Sequence, residues 1–444
     1  MKPQTLISMA GSGVALIAMT LTAMAQEPAK YSDFQGAAIA SISDGDMKAS
    51  AYIGGQLGPD PQPDALTITR ISSDLTTLES VSIPVSNSVA GPPTAIALTP
   101  DQTTAFVTES FGARPAGGET FRDLPVGAKL TAIDISDRAA PKVIGSIDLG
   151  KRPEGVSVHP GGDLVVATLH PVDGRQLAFV PFANGAMGEV QYVTVPGVEK
   201  SERITHAEWH PSGNFLALTL VNSAEIMFVR VTRDGSNVAI ELWGNKVLTS
   251  KYPFMGRFTP DGRHFLTGNL YWGADVPGIW AEAVDGDVTS IRFASEATTG
   301  RGGDPEVRHF LVGRAQASKD PEGIAISPDG QWVVSVNLET SYAPKTDARL
   351  TMYSSVSLMR LDPETGRLTH ADTLRYDGIL PEAATFDASG KFISIVTYDS
   401  HDPTVDPKTA ASLDFFRITP QGKLVMLRKS APLPRGAHSM QLIR

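Results

Sequence analysis

The sequence has 444 residues, of which 41% are hydrophobic and 19% are charged, as in an ordinary globular protein. Its formal net charge is −10, so most of its surface repels nucleic acid and anionic membranes, and we expect neither as a partner. The sequence contains no cysteine, which excludes disulfides, thiolate metal sites and a cysteine nucleophile. The length suggests about three domains, but repeat folds can run this long as one unit.

The N-terminal segment, residues 1–25, has the pattern of a signal peptide. Lys2 is followed by an apolar run at 14–21, and Ala23 and Ala25 occupy the −3 and −1 positions of a cleavage site. The run is too short to cross about 30 Å of hydrocarbon, which disfavours the alternative of a membrane anchor. We therefore expect cleavage after Ala25, export to the periplasm, a linker at 26–34 and a single folded domain at 35–444.

A motif recurs roughly every 50–70 residues along the rest of the chain. It consists of a Pro-x-Gly-like entry, a short apolar strand, a Pro-Asp-Gly-like turn and a second apolar strand. Proline presets φ in such a turn and glycine takes the left-handed position, so each turn predicts an antiparallel hairpin. The clearest copy reads PEGIAISPDGQWVVSVN from Pro321. The other copies begin at or near Pro93, Pro153, His206, Gly256, Pro381 and Pro434.

The strands of this repeat are apolar or small on both faces, as Ile324-Ala325-Ile326 illustrates. Two further apolar runs follow each hairpin, so each unit is a four-stranded meander. A propeller blade packs against a neighbour on both faces, whereas a two-layer sandwich would leave one face polar. We therefore predict an all-β fold, a seven-bladed β-propeller of four-stranded antiparallel blades.

Both ends of the chain are predicted to complete one blade. The chain ends one strand into the seventh unit, at Gln441-Leu442-Ile443, and the missing strands stand near the N-terminus. Two stretches are alternatives for the strand next to the C-terminal one, 37–41 and 49–53. Such shared pairing would close the ring and remove its exposed edges.

The repeat resembles that of the YVTN family of β-propellers and of related lactonase-like propellers. The tetrapeptide SPDG at 327–330, followed by Val334-Ser335-Val336-Asn337, carries the resemblance best, and it extends over roughly residues 34–444. The resemblance implies a propeller fold. It does not imply one particular function, because these propellers include lactonases, cycloisomerases and non-enzymatic exported proteins.

The connections of the meander assign the loops to two faces. The Pro-Asp-Gly turns lie on one face. The other face carries the strand entries and five long loops, at 54–64, 109–127, 270–287, 338–355 and 398–411, which belong to consecutive units of the ring. Because long loops in a compact fold are often functional, we expect the site on this second face.

Charged side chains cluster at the strand entries of this face. An arginine and an acid–base group converging on one pocket could act on a small polar or anionic molecule. The alternative is a solvated rim of compensating charges. The candidate catalytic set is Glu154, His206, Arg203 and Arg435, with Arg152, Glu322 and Glu382 as candidate ligand-binding residues.

Further candidates lie inside the first strands and in the long loops. The central position of the first strand is usually small, but it is Glu208, Arg257 and His438 in three units. Glu208 and Arg257 stand at one level in adjacent units, which predicts an ion pair, with a structural or a ligand-binding role. Trp272, Tyr342 and Tyr398 could stack on a ligand or hold the loops in place. His206 and His210 lie about 13 Å apart on a strand, so we expect no metal site there, and no sequence motif indicates a cofactor.

Two functions remain open from the sequence. The first is an exported, monomeric binding module that takes a small polar molecule or a periplasmic protein on the loop-rich face. The second is an enzyme of the lactonase or cycloisomerase type that acts at the channel mouth. We favour the binding module at this point, because no catalytic motif can be recognised in the sequence.

Overall fold

The computed structural model describes residues 33–444, except for 60, 172–173, 236, 274–283 and the side chains of 428–429. The predicted signal peptide and most of the linker therefore lie outside the described residues. Within the described part the chain forms seven antiparallel sheets, each built on four main strands, which confirms the predicted fold class.

The first three blades take up the N-terminal half of the described chain. A short helix, α1 (Ala51–Gly54), and a 3-10 turn at Phe121–Asp123 are inserted in their loops. Blade 1 contains β1 (Ala38–Ser43), β2 (Ala65–Ile71) and β3 (Leu78–Pro84); blade 2 contains β4 (Ile96–Leu98), β5 (Thr104–Thr108), β6 (Lys129–Asp134) and β7 (Lys142–Asp148); blade 3 contains β8 (Pro153–Val158), β9 (Leu164–Leu169), β10 (Leu177–Ala183), β11 (Ala186–Met187) and β12 (Gln191–Val193).

The remaining blades follow in chain order, with a two-stranded ribbon inserted in blade 5 and a 3-10 turn at Pro407–Thr409 in blade 7. Blade 4 contains β13 (Ile204–Trp209), β14 (Phe215–Leu220), β15 (Glu225–Asp234), β16 (Asn237–Leu242) and β17 (Val247–Leu248); blade 5 contains β18 (Pro253–Phe258), β19 (His264–Asn269), β20 (Asp285–Arg292), the ribbon β21 (Thr298–Thr299) and β22 (Pro305–Glu306), and β23 (Phe310–Lys319); blade 6 contains β24 (Pro321–Ile326), β25 (Trp332–Asn337), β26 (Ser354–Leu361) and β27 (Leu368–Tyr376); blade 7 contains β28 (Ile379–Phe386), β29 (Phe392–Asp399), β30 (Ala411–Ile418) and β31 (Leu424–Leu433); and β32 (Ala437–Ile443) returns to blade 1.

The ring is closed by the two ends of the chain. Strand β32 is the innermost strand of blade 1 and pairs antiparallel with β1, from Ala38 opposite Ile443 to Ser43 opposite Ala437. The innermost strands of successive blades contact one another all the way round, and β32 contacts both β28 and β4. The strand beside β32 is thus Ala38–Ser43, close to the first of the two predicted stretches, whereas most of the second stretch contributes to α1.

The core lies between the blades. All six residues of β9, β14 and β19 are buried, which agrees with sheets covered on both faces. Fully burying one Val, Leu or Phe side chain stabilises the fold by about 1.5–3 kcal/mol. Because these faces are shared by neighbouring blades, each blade depends on its neighbours to keep these side chains out of water.

The Pro-Asp-Gly turns have the predicted hairpin geometry. In the clearest copy the amide of Gly330 donates to the carbonyl of Ser327, and Gly330 has φ of +69°. The weak copy in blade 2 has glutamine in the glycine position, and Gln102 takes the same left-handed conformation, with φ of +58°. These turns therefore set the register of the first two strands in each of these blades.

The glycine of the Pro-Glu-Gly entries allows neighbouring inner strands to approach closely. A Cβ atom on Gly155 would lie 2.7 Å from the carbonyl oxygen of Thr205 in the next blade. At Gly323 it would overlap the carbonyl oxygen of Glu382. The entry motif thus places a glutamate beside the channel and a close backbone contact next to it.

We expect the substitution Gly323→Ala to lower the free energy of unfolding by about 1–3 kcal/mol, because the inner strands of blades 6 and 7 must move apart. Urea titration followed by circular dichroism measures the effect. Gly302→Ala is the control, because its added Cβ would meet nothing closer than 3.9 Å. Equal stability of the two variants would contradict this role of Gly323.

Candidate functional site

A cavity of about 380 Å³ opens on the loop-rich face of the ring, at the mouth of the channel. Three of the five long loops reach it, through Phe121, Trp272, Gly273, Leu338 and Tyr342, and α1 contributes Tyr52. Part of the predicted loop at 270–287 lies outside the described residues. The remaining lining residues come from the strand entries and from the segment between β3 and β4: Ala90, Gly91, Arg152, Arg203, Tyr252, Phe254, Glu322, Leu380 and Glu382.

The strand entries have an unusual backbone conformation. Arg152, Tyr252, Asp320 and Leu380 each precede the first proline of an inner strand or of its entry motif, and their φ angles are +52°, +58°, +55° and +52°. Left-handed non-glycine residues are uncommon and cluster at functional sites. Three of the four line the cavity, and the fourth, Asp320, holds two of its aromatic walls.

One side of the cavity is cationic; we call Arg152, Arg203 and Glu154 the arginine side. Glu154 is buried between the two guanidinium groups, with its Oε2 2.9 Å from Nε of Arg203 and its Oε1 3.5 Å from Nε of Arg152. The guanidinium of Arg152 lies over the ring of Phe111, 4.7 Å from its centroid. Blades 3 and 4 supply this side, so two adjacent strand entries bring the three charges together.

The opposite side carries two buried carboxyl groups; we call Glu322 and Glu382 the carboxyl side. They come from the adjacent entries of blades 6 and 7 and are 4% and 1% exposed. Burial, then the nearby Asp320, raises the pKa of Glu322 well above 4.5, and burial, then Glu322 and Asp44, does the same for Glu382. The pair therefore retains a proton at pH values where ordinary glutamates have lost theirs.

Glu382 has an oxygen available for a ligand. Its Oε2 is buried at the cavity and has no hydrogen-bond partner among the described residues. A buried polar atom without a partner is costly unless water or a ligand satisfies it. The carboxyl side can therefore accept or donate one hydrogen bond to a molecule in the cavity.

Aromatic side chains form most of the remaining wall. Trp272 Nε1 donates to Asp320 Oδ1 at 2.7 Å, and the Tyr342 hydroxyl donates to Asp320 Oδ2 at 3.3 Å. Trp272 also packs against Tyr252, with 5.5 Å between ring centroids. Asp320 is fully buried and so fixes two walls that come from different loops. Flat apolar walls with a few polar groups suit a ring-shaped polar ligand.

The predicted pair of Glu208 and Arg257 is present, but it lies outside this cavity. Arg257 Nη1 is 3.0 Å from Glu208 Oε2, and both residues line a second cavity at the tight-turn end of the channel. His206 is fully buried beside them, with Nε2 3.4 Å from Glu208 Oε2. Burial, then the charge of Arg257, lowers the pKa of His206 well below 6.5, so it is neutral at physiological pH.

Three more predicted residues are buried elsewhere, two of them against the segment that links β1 to β2. Arg435 Nη2 donates to the carbonyl of Gly45 at 2.8 Å, and the Tyr398 hydroxyl donates to the carbonyl of Met47 at 2.8 Å. His438 Nε2 is hydrogen-bonded to Asn87 Oδ1 at 2.8 Å. None of the three lines the cavity described above.

The structure thus gathers part of the predicted set into one cavity and distributes the rest. Arg152, Arg203, Glu322, Glu382, Trp272 and Tyr342 line the cavity, and Glu154 is buried between the two arginines. His206, Glu208, Arg257, Arg435, His438 and Tyr398 lie elsewhere. Sequence reasoning missed Tyr52, Tyr252 and Asp320 as functional residues. The last two could have been found from their position before an entry proline, which is also that of Arg152.

Burial of His438 predicts a pH-dependent stability. Its pKa is lowered to about 3 in the folded protein by desolvation, against 6.5 for the free side chain. Below pH 6.5 the unfolded chain therefore binds a proton that the folded chain does not, and stability is lost as the pH falls. The fall amounts to about 1.4 kcal/mol per pH unit for this group.

We expect His438→Gln to remove this contribution. The gap in unfolding free energy between wild type and variant should narrow as the pH falls from 6.5 to 5. Urea titrations at pH 7.5, 6 and 5 measure it. His370→Gln, at an exposed position of β27, is the control, and a gap for His438→Gln that stays constant with pH would contradict the prediction.

Neither a metal centre nor a membrane span is found in the described part of the chain. No group of three or more His, Asp or Glu residues there is arranged to hold a metal ion. No helix there is long and apolar enough to cross a membrane.

Comparison with known proteins identifies the fold. No family model matches the sequence, and no curated protein matches it either. The periplasmic gluconolactonase PpgL of Pseudomonas aeruginosa superimposes with a TM-score of 0.60 and 16% identity, over 91% of this chain and 99% of that one. A Bacteroides fragilis protein proposed to be a 6-phosphogluconolactonase gives 0.59 and 13%, over 91% and 98%. A Lactobacillus plantarum protein gives 0.58 and 12%, over 92% and 100%. At such identities the likeness concerns the fold alone, and the seven-bladed β-propeller of this chain is thus similar in fold to these proteins, two of which are named as lactonases or proposed lactonases.

Proposed function

We propose that the protein is a lactone hydrolase that acts in the cavity at the channel mouth. The observation that carries this proposal is the carboxyl side, where two buried glutamates with raised pKa values face two arginines across a largely aromatic cavity. Enzymes keep a carboxylic acid protonated near neutral pH by such burial and use it as a general acid.

The carboxyl side can supply both proton transfers of ester hydrolysis. The ionised member of the pair accepts a proton from water as the water oxygen bonds to the lactone carbonyl carbon. The protonated member donates its proton to the ring oxygen as the bond between that oxygen and the carbonyl carbon breaks. A proton shift between Glu322 and Glu382 then restores the starting state, so each turnover consumes one water and leaves a hydroxy acid.

The other walls bind and orient the substrate. Trp272 and Tyr342, both held by Asp320, offer flat faces against which a sugar-sized ring can pack. The arginine side offers guanidinium donors to an anionic group on the substrate or product. The likeness in fold to PpgL, a gluconolactonase by name, supports the same class of reaction.

We also propose that the protein is exported to the periplasm, with cleavage after Ala25. The charged start, apolar run and small residues of segment 1–25 support this, and PpgL is named as periplasmic. Mass spectrometry of the N-terminus of protein purified from the periplasm tests it. A mature chain that begins at Gln26 is expected, and an intact Met1 in the cytoplasm would contradict it.

Hydrolysis of a lactone panel tests the proposed activity. Purified mature protein is incubated with five- and six-membered sugar lactones and with a homoserine lactone, and acid release is followed in a pH-stat. Hydrolysis of a sugar lactone is expected, together with its loss in the double variant Glu322→Gln, Glu382→Gln. If no lactone is hydrolysed but calorimetry shows that one binds, the protein is a binding module and the enzymatic proposal fails.

A further inference from the structure

The two sides of the cavity have different charges, and this difference restricts the substrate. The arginine side comes from blades 3 and 4, and the carboxyl side comes from blades 6 and 7. In a ring of seven blades these pairs stand opposite each other, with Phe254 of blade 5 between them on one side. A substrate in the cavity is therefore in contact with a cationic end and an acidic end at once.

The arginine side retains donors that the protein does not use. Both guanidinium groups direct Nε towards Glu154, and Nη1 of Arg203 is 3.3 Å from the hydroxyl of Tyr252. The hydrogen bonds of Arg203 run from Nε to Glu154 and from Nη1 to Tyr252, and the buried Nε of Arg152 has no hydrogen-bond partner among the described residues. Both residues line the cavity. Their side chains are 24% and 18% exposed, so a ligand can reach them.

The number of charges at this side favours a monoanion. Two guanidinium groups and the Glu154 carboxylate leave one net positive charge. A carboxylate carries one negative charge and two acceptor oxygens, which match the terminal donors of a guanidinium. A phosphate monoester carries about −1.5 to −2 at pH 7 and would leave an excess negative charge in an enclosed, largely apolar cavity.

The acidic residues opposite strengthen this selection. Glu322, Glu382 and the fully buried Asp320 all lie on the far side, and their own pKa values are raised by burial. Any excess negative charge on the substrate is repelled by whichever of these groups is ionised. A neutral lactone avoids the repulsion but leaves the arginine donors without a partner.

We propose that the substrate is a sugar lactone that carries one free carboxylate, remote from its ring ester, rather than a neutral or phosphorylated lactone. The carboxylate is held by Arg152 and Arg203, and the ester lies at Glu322 and Glu382. The cavity of about 380 Å³ falls in the usual range for sites of small ligands. This inference rests on the proposed lactone hydrolase activity and adds the substrate class to it.

Three lactones matched in ring size test the inference, namely the 1,4-lactones of gluconic, glucaric and 6-phosphogluconic acid, which are neutral, monoanionic and mostly dianionic. We expect kcat/KM for the glucaric lactone to exceed the other two by about tenfold or more, mainly through KM. Equal values, or a preference for the neutral or the phosphorylated lactone, would overturn the inference and leave the lactone hydrolase proposal intact. Hydrolysis of none of the three would overturn the inference, and hydrolysis of no lactone in the wider panel described above would overturn the lactone hydrolase proposal as well.

Two substitutions test the charge argument itself. Glu154→Gln leaves two positive charges at the arginine side and should raise the ratio of kcat/KM for the phosphorylated over the glucaric lactone by about tenfold. Arg152→Gln should lower the ratio of the glucaric over the neutral lactone by a similar factor. Circular dichroism checks the fold of each variant.

If neither variant folds, the salt dependence of KM in the wild type tests the same charge argument. KM for the glucaric lactone should rise as sodium chloride is increased from 20 to 500 mM, because salt screens charge recognition, whereas KM for the neutral lactone should stay level. Two results would contradict recognition of a carboxylate by the arginine side. One is that the kcat/KM ratios of the folded variants equal those of the wild type, and the other is that salt changes KM equally for the two lactones.

Discussion

Replacing Glu382 by glutamine is expected to lower kcat for lactone hydrolysis by about 10²- to 10⁴-fold, with a smaller change in KM. Glutamine keeps the size of the side chain but neither accepts a proton from water nor donates one to a leaving oxygen. The same change at Glu322 should have an effect of similar size, because the two carboxyl groups share one proton and act as a unit. The loss of kcat in the double variant should therefore be much smaller than the product of the two single losses.

The pH dependence gives this prediction a direction. The wild type needs one proton on the pair, so activity should fall at low pH, where both groups are protonated, and at high pH, where both are ionised. Because the pKa values of Glu322 and Glu382 are raised above 4.5, the maximum of kcat/KM should lie above the usual carboxyl range. The wild type should therefore give a bell-shaped pH profile. Each single glutamine variant keeps only one of the two carboxyl groups, so its residual activity should either rise or fall with pH, but not both.

Two control variants separate this role from a general effect of removing acids. Asp414→Asn removes a buried carboxyl group outside the cavity, one that accepts from Thr397 and Ser412 and has a raised pKa through burial. Glu296→Gln removes an exposed one. Both should keep the bell-shaped profile of the wild type. An unchanged profile in the Glu322 and Glu382 variants would show that the pair takes no part in proton transfer.

The fold was predictable because one local signal recurs in blades 2 to 7. The Pro-Asp-Gly turn specifies a hairpin by backbone geometry alone, and even Gln102 adopts the left-handed conformation that the turn needs. Strands apolar on both faces then require neighbours on both sides, which leads to a ring. The strand beside β32 was harder to choose, since 37–41 and 49–53 are both short and largely apolar. Local pattern does not reveal that Ala51–Gly54 forms a helix.

The candidate site was predictable only where the entry motif sets the register. Glu154, Glu322 and Glu382 follow a proline at the first position of an inner strand or its motif, so their position at the channel mouth could be inferred. Arg435 stands at the same kind of position, but the carbonyl of Gly45 lies against it. That contact depends on how the segment between β1 and β2 folds over blade 1, which no repeat describes.

The sequence does not show that His206 lies away from the cavity, because its location depends on the residues that it packs against. It lies beside Glu208 and Arg257, which belong to the other end of the channel. Tyr252 and Asp320, in contrast, contribute to the cavity. Each stands before an entry proline with a left-handed backbone conformation, which composition alone does not reveal. Their position before an entry proline can be read from the sequence, but their left-handed conformation cannot.

Deleting residues 437–444 is expected to abolish cooperative folding. The deletion removes β32, whose side chains include the buried Ala437, Met440 and Ile443 and whose backbone pairs with β1. It also exposes the faces of the inner strands β28 and β4, which β32 separates. Losing several buried side chains at about 1.5–3 kcal/mol each, with a whole strand ladder, consumes most of the 5–15 kcal/mol by which a typical domain is stable.

Thermal unfolding followed by circular dichroism measures this effect, and two comparisons show whether it arises from the missing strand. Removal of Arg444 alone, an exposed residue beyond β32, should lower the melting temperature by only a few degrees. A synthetic peptide of residues 434–444 added to the truncated chain should restore a cooperative transition, because it can pair with β1 as β32 does. A truncated chain that melts as the wild type does would mean that blade 1 is stable with three strands. The ring would then not depend on its closure, and the opposition of the arginine and carboxyl sides across the channel would lose its structural basis.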